Sequence, residues 1–276
     1  MPPITKPKRP ASILDRAKAI SFDNTAPFSM GMFGESATGK TTLWSTWPKP
    51  ILAVLCSGEL KTPGELRSIS KKDRDGIKPI ILENCEELNE ITDAVVDSEY
   101  KTVVLDHLTS FSDLVLKQVL GLESIPPQLS WGFARREDWG KHGELVKTFL
   151  QRMLNLPKYT VVVSQHRWFD PPAGVEGVPA ICGPASTPTI SGWLVPALDY
   201  CVQTFIREEV KITELKIGKE IQKVEEKTGK IEYCAHLPKN VTKMTKFRAP
   251  RGVQVPEILV NPTFTKLQAL IEGLEK

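Results

Sequence analysis

Apolar residues fall into short runs separated by amphipathic stretches, and the alternation of the two predicts the elements. Residues 27–33 read as a first strand, and residues 40–47, after a polar turn, as a helix that Pro48 and Pro50 stop. Residues 51–56 are a continuous apolar run of strand length, so strand, loop, helix and strand form a βαβ unit. Residues 78–82 predict another short strand. Leu88, Ile91 and Val95 then share one face of a helix over 86–96, and residues 102–105 are apolar and largely β-branched and end on Asp106. Helical spacing returns in Phe111, Leu114, Val115, Gln118 and Val119, and again in Leu145, Val146, Phe149, Leu150, Met153 and Leu154 before Pro157. Residues 160–165 and 198–206 predict two further strands.

Two stretches escape these periods. Residues 121–136, with two prolines and a Ser-Trp-Gly, and residues 166–192, rich in Pro, Gly, Ser and Thr, read as long loops. After residue 206 the pattern changes to an antiparallel one, in which Ile231, Tyr233, Ala235 and Leu237 alternate with polar residues behind a Gly-containing turn at 227–230. Phe264, Leu267, Leu270, Ile271 and Leu274 make a terminal amphipathic helix. The expected fold is α/β: a mainly parallel sheet covered on both faces, with a C-terminal antiparallel hairpin. The expected organisation is a basic, proline-rich tail and short helix over 1–24, then one domain over 25–276, carrying the hairpin at 207–240 and the helix at 262–275.

Composition narrows the classes. The chain of 276 residues is long enough to bury a core without disulfides, and no apolar run approaches the roughly 20 residues that span a bilayer. No membrane partner is expected, and the first ten residues lack the apolar segment of a signal peptide, which predicts a cytoplasmic protein. Five cysteines without CxxC spacing read as buried thiols. The net charge of +3 is small, but residues 207–251 hold 12 Lys/Arg against 7 Asp/Glu, which suits either a solvated hairpin or a phosphate-binding patch.

The polar turn after the first strand carries the strongest chemistry. Gly34, Glu35, Ser36, Ala37, Thr38, Gly39, Lys40 and Thr41 fit GxxxxGK[ST] without a gap, and Thr42 follows. Successive backbone N–H groups of such a loop surround phosphate oxygens, the glycines allow close approach, Lys40 puts a cation on the β and γ phosphates, and the Thr41 hydroxyl binds Mg²⁺. Asp106, at the end of a later apolar strand, is the expected second metal ligand. The next residue is His107, so a base that polarises water must come from elsewhere. Glu59, past the second strand and read as beside the loop strand, is one candidate; Glu35 within the loop is the other. Gln165, ending the strand over 160–165, can report the γ-phosphate to the segment that follows, and His166 can share that role. The absence of an NKxD motif favours ATP over GTP.

This set, residues 34–42 with Glu59, Asp106, Ser164 and Gln165, resembles the RecA-like ATPases, and more narrowly the compact bacteriophage AAA-domain proteins related to single-strand-annealing recombinases. The resemblance implies a RecA-type core with the sensor strand between the P-loop and Walker B strands, Glu59 as catalytic base and Gln165 as sensor. It also implies two DNA-binding loops, falling on 121–142 and 167–192, and a ring or filament in which a basic residue of one subunit completes its neighbour's site. Lys243, Lys246, Arg248 and Arg251 are available for that, with Arg248 the leading choice. Trp131, Arg135, Arg136, Lys141, Arg167 and Trp168 in or beside the loops have the mixture of types that binds single-stranded DNA. The expectation is therefore a Mg²⁺-dependent ATPase acting on single-stranded DNA in phage recombination or replication, with phage proteins of those processes as further partners. A P-loop small-molecule or nucleotide kinase and a nucleotide-gated assembly module with little turnover remain open.

Overall fold

Strands form where the apolar runs lie, and the central ones, β1, β2, β4 and β5, are buried along nearly their whole length. The computed structural model describes residues 26–56, 66, 69–122, 134–171, 173–174, 176–217 and 220–274. The 1–24 tail, its short helix, Glu59 and Trp131 lie outside the described residues.

The elements are β1 (Ser29–Gly34), α1 (Lys40–Trp44), β2 (Ile51–Leu55), α2 (Lys71–Arg74), β3 (Ile77–Ile81), α3 (Glu87–Val95), β4 (Thr102–Asp106), α4 (Leu108–Leu120), α5 (Arg136–Leu154), β5 (Tyr159–Ser164), β6 (His166–Phe169), β7 (Ile181–Pro184), α6 (Pro188–Ala197), β8 (Tyr200–Ile217), β9 (Glu220–His236), β10 (Ile258–Val260) and α7 (Phe264–Glu272). Eight strands make one sheet in the order β10-β9-β8-β1-β5-β4-β2-β3, parallel from β8 to β3 and antiparallel from β8 to β10. This is the expected α/β architecture, a mainly parallel sheet with a C-terminal antiparallel hairpin, and β5 lies between β1 and β4 as expected. Pro79 sits in the edge strand β3, where a missing N–H is tolerated.

Alternation along the strands divides the core. Phe33, Val54, Val103, Leu105 and Val162 face α3, α4, α5 and α6, while Met30, Met32, Ala53, Leu55, Val104, Val161 and Val163 face α1 and α7. On the second face Phe264 lies 5.3 Å from the Trp47 ring and 5.2 Å from that of Tyr159, and its backbone N–H donates to Thr46 Oγ1 at 2.8 Å. The C-terminal helix is thereby tied to the segment that follows the glycine loop. All five cysteines are buried and unbridged.

The structure corrects four sequence-based expectations. The segment 166–192 is not a structureless loop: it holds the two-stranded antiparallel sheet β6–β7 and the start of α6, short elements whose Pro and Gly content hid them. The loop expected over 121–142 ends earlier, because α5 already begins at Arg136. There the Asp138 carboxylate accepts the Arg135 N–H at 2.9 Å, and two glycines had obscured the helical period. Residues 227–230 are not the hairpin turn but lie inside β9, opposite a register break between Glu208 and Val210, where Gly229 has φ 74°. Finally, β2 is not beside β1; β5 and β4 intervene, with β2 pairing β4 and β4 pairing β5.

Phe264→Ala is expected to lower the unfolding free energy by about 3–4 kcal/mol, as for a buried aromatic in a packed cluster, measured by urea denaturation.

Candidate active site

Every residue of β1 is buried, and the strand ends on Gly34, paired with Thr204 of β8. A Cβ on Gly34 would lie 2.3 Å from the Thr204 carbonyl oxygen and 2.4 Å from Thr204 Oγ1. The loop is fixed from that point: the Thr204 and Thr38 hydroxyls are hydrogen-bonded at 2.8 Å, and Thr38 Oγ1 donates to the Glu35 carbonyl at 2.8 Å. Ala37 with φ 62° and Gly39 with φ 83° turn the backbone into α1. The Lys40 ammonium lies over the loop and donates to the Gly34 carbonyl at 3.0 Å and to the Glu35 carbonyl.

Asp106 ends β4 with only 6% of its surface exposed, and Trp44 Nε1 of α1 donates to its Oδ2 at 2.9 Å. Burial pushes its carboxyl above the usual carboxylate range, against the opposing effects of the Trp44 hydrogen bond and the Lys40 charge. The peptide between Asp106 and His107 is cis. His107 Nδ1 accepts the Ser110 N–H at 3.3 Å, which caps α4. Gln165 follows β5, and its carbonyl accepts from Ala185 N at 2.7 Å and from Ser164 Oγ at 2.8 Å.

These groups meet in one cavity of about 340 Å³, lined by Ser36, Ala37, Gly39, Lys40, Thr41, Thr42, Asp106, His107, Gln165 and Tyr233. A hydroxyl and a carboxylate in one polar cavity suit Mg²⁺, which keeps waters and needs few protein ligands. Among the described residues there is no group of three or more His, Cys, Asp or Glu that would form an all-protein metal cage.

Other expected residues are not in the cavity lining. Glu35 is exposed, with its carboxylate 3.8 Å from His166 Nε2. Arg248 is exposed and acts electrostatically on Tyr200, at the start of β8 and so at the far end of β1 from the loop. Lys246 is absorbed structurally, donating to the carbonyls of Pro196, at 2.8 Å, and Leu198. Arg167 and Trp168 are exposed on β6, with the Arg167 guanidinium 5.7 Å from the centre of the Phe169 ring. Arg135 and Arg136 are exposed where α5 begins, and Lys141 is exposed in its second turn.

Sequence reasoning missed Tyr233, Trp44 and Thr204 as parts of this site. Tyr233 had a signal in the alternation of 231, 233, 235 and 237. The other two are reached only through pairing across β8 and packing under β4.

Residues 26–170, more than half of the chain, match the AAA domain family. The chain belongs to that family. No curated protein matches this AAA domain chain. Among solved structures it is similar to a KaiC-like protein of the hyperthermophilic archaeon Pyrococcus horikoshii OT3, at 11% identity and TM-score 0.38, over 86% of this chain and 90% of that one. It is also similar to a prototypical ATPase from the type III secretion system of pathogenic bacteria, at 15% identity and TM-score 0.39, over 64% of this chain and 52% of that one. The AAA domain chain is a P-loop ATPase. Among its described residues no helix is long and apolar enough to cross a membrane.

Because a buried carboxylate opposes folding when it is charged, Asp106→Asn is expected to raise the Tm of the nucleotide-free protein, since the amide oxygen still accepts from Trp44. Thermal melts of the two proteins at neutral pH check this.

Proposed function

We propose that the AAA domain chain couples Mg²⁺-dependent ATP hydrolysis to binding of single-stranded DNA, working as an oligomer in phage recombination or replication. The carrying observation is the direct connection at the end of β5. Gln165 lines the cavity, and the next residues form β6, which presents Arg167 and Trp168 to solvent.

In this reading Lys40 neutralises the β and γ phosphates, and Thr41 and Asp106 hold the metal, which supplies charge neutralisation on the phosphates when bound. The entry of a cation would also relieve the burial of the Asp106 charge. Glu59 accepts the proton of the attacking water as the water oxygen bonds to the γ-phosphorus and the bond to the β–γ bridging oxygen breaks. The strand before Glu59 in sequence, β2, pairs Leu55 with Asp106, so β2 ends beside the proposed metal ligand. Gln165 reads the γ-phosphate and passes its presence to the β6–β7 sheet through the Ala185 N–H held by its carbonyl. Arg248, remote from its own cavity, acts on that of a neighbouring subunit.

On DNA, Arg167 contacts phosphate and Trp168 stacks on a base, with Arg135, Arg136 and Lys141 extending the basic surface. Trp168 is 54% exposed, which supports this role over that of a packing residue.

Lys40→Ala is expected to abolish ATP turnover with the fold retained by circular dichroism; undiminished turnover would remove the site assignment. ATPase rates measured with and without single-stranded DNA are expected to show stimulation at low salt that fades as salt rises. Trp168→Ala should weaken that stimulation by about tenfold in DNA concentration while leaving the DNA-independent rate unchanged. No stimulation at any salt would exclude the DNA role.

A further inference from the structure

The alternation along β9 that buries Ala235 and Leu237 with α1 and α7 continues on the same face to Tyr233 and Ile231. There the cover ends: Tyr233 is 46% and Ile231 63% exposed. Ile206 of β8, directly opposite Tyr233 in the ladder, shares this face and is 46% exposed. An apolar shelf thus runs out of the core past the glycine loop and into solvent. Tyr233 is held at its inner end against the loop, for a Cβ on Gly39 would lie 2.8 Å from its Cδ1. Among the described residues it is also the one that the β8–β9 side contributes to the lining of the 340 Å³ cavity.

That cavity has two chemically different ends. Asp106 and Gln165, at the ends of β4 and β5, lie on one side of β1, and Tyr233 on β9 lies on the other. Four strand spacings separate β4 from β9, roughly 19 Å at about 4.8 Å each, a span suited to an extended nucleotide. With the groups that handle the scissile bond on the β4–β5 side, a triphosphate seated on the loop directs its unreactive end toward β8 and β9. We infer that Tyr233 is the stacking platform for the purine base of the bound nucleotide, with Ile206 and Ile231 extending the apolar surface beneath it. This assignment rests on the reading of the cavity as an ATP site. A ring face beside aliphatic side chains recognises a planar π-system, whose stacking on an aromatic residue is strongly favourable.

The test compares ATP with inorganic triphosphate, which has the phosphates and lacks the base, on the full chain with Mg²⁺. Tyr233→Ala is expected to weaken ATP binding about tenfold and leave the affinity for triphosphate unchanged, raising KM with kcat within about twofold. Tyr233→Phe and Tyr233→Trp keep a ring face and should retain ATP affinity, with added quenching of fluorescence in the tryptophan variant by ATP and not by triphosphate. Unchanged ATP affinity in Tyr233→Ala, or an equal loss for both ligands, would overturn the assignment. Lys40→Ala separates the two levels of inference. Loss of both ligands in that variant with no effect of Tyr233→Ala removes only the base platform, whereas retention of both removes the ATP site and the platform with it.

Discussion

The enclosure of β1 between two parallel neighbours is the constraint on which the rest depends. With β5 on one side and β8 on the other, the carboxyl ends of β4, β5 and β1 emerge along one edge, which β8 passes at Thr204, and the polar residues of the site collect there. Gly34 is the tightest point of that packing, since no side chain fits between it and Thr204. The hydroxyl pair of Thr38 and Thr204 then makes the loop conformation a property of the sheet as well as of the loop sequence.

Asp106 shows the opposing side of the same arrangement. Its carboxylate is taken out of water by β4 and α1 and is partnered by one indole N–H, which is less than a charged group needs at that depth. In the proposed role of Asp106 as a metal ligand, stability and ligand binding therefore pull in different directions at this residue.

How far the fold can be read from the sequence depends on the element. β1, β2, β4 and β5 were readable because a strand buried on both faces is a continuous apolar run, and α3, α4 and α7 because each has a single buried face. The order of the strands is not encoded in their periods. That is why β2 was expected beside β1, and why the carboxylate after it was expected beside the loop. The β6–β7 sheet was missed since its strands have only four residues each and include Pro184 and Gly183. At the site, the loop and Asp106 were legible from local pattern. Tyr233 was visible only as a strand residue, and its proximity to Gly39 arises because β1 pairs with β8, about 170 residues further along the chain, and β8 in turn pairs with β9.

The ribbon of β8 and β9 has a consequence for how the protein behaves in concentrated solution. Beyond Thr204 on β8 and before Cys234 on β9, each strand pairs only with the other among the described residues, which leaves two long open edges. Flat edges of that kind recruit further strands and seed fibrous aggregates. The break at Glu208 and Gly229 increases the local twist, and Arg207, Lys227, Lys230 and Glu232 place charges beside it. The irregularity that confounded the turn assignment thus works against edge-to-edge pairing of the exposed ribbon.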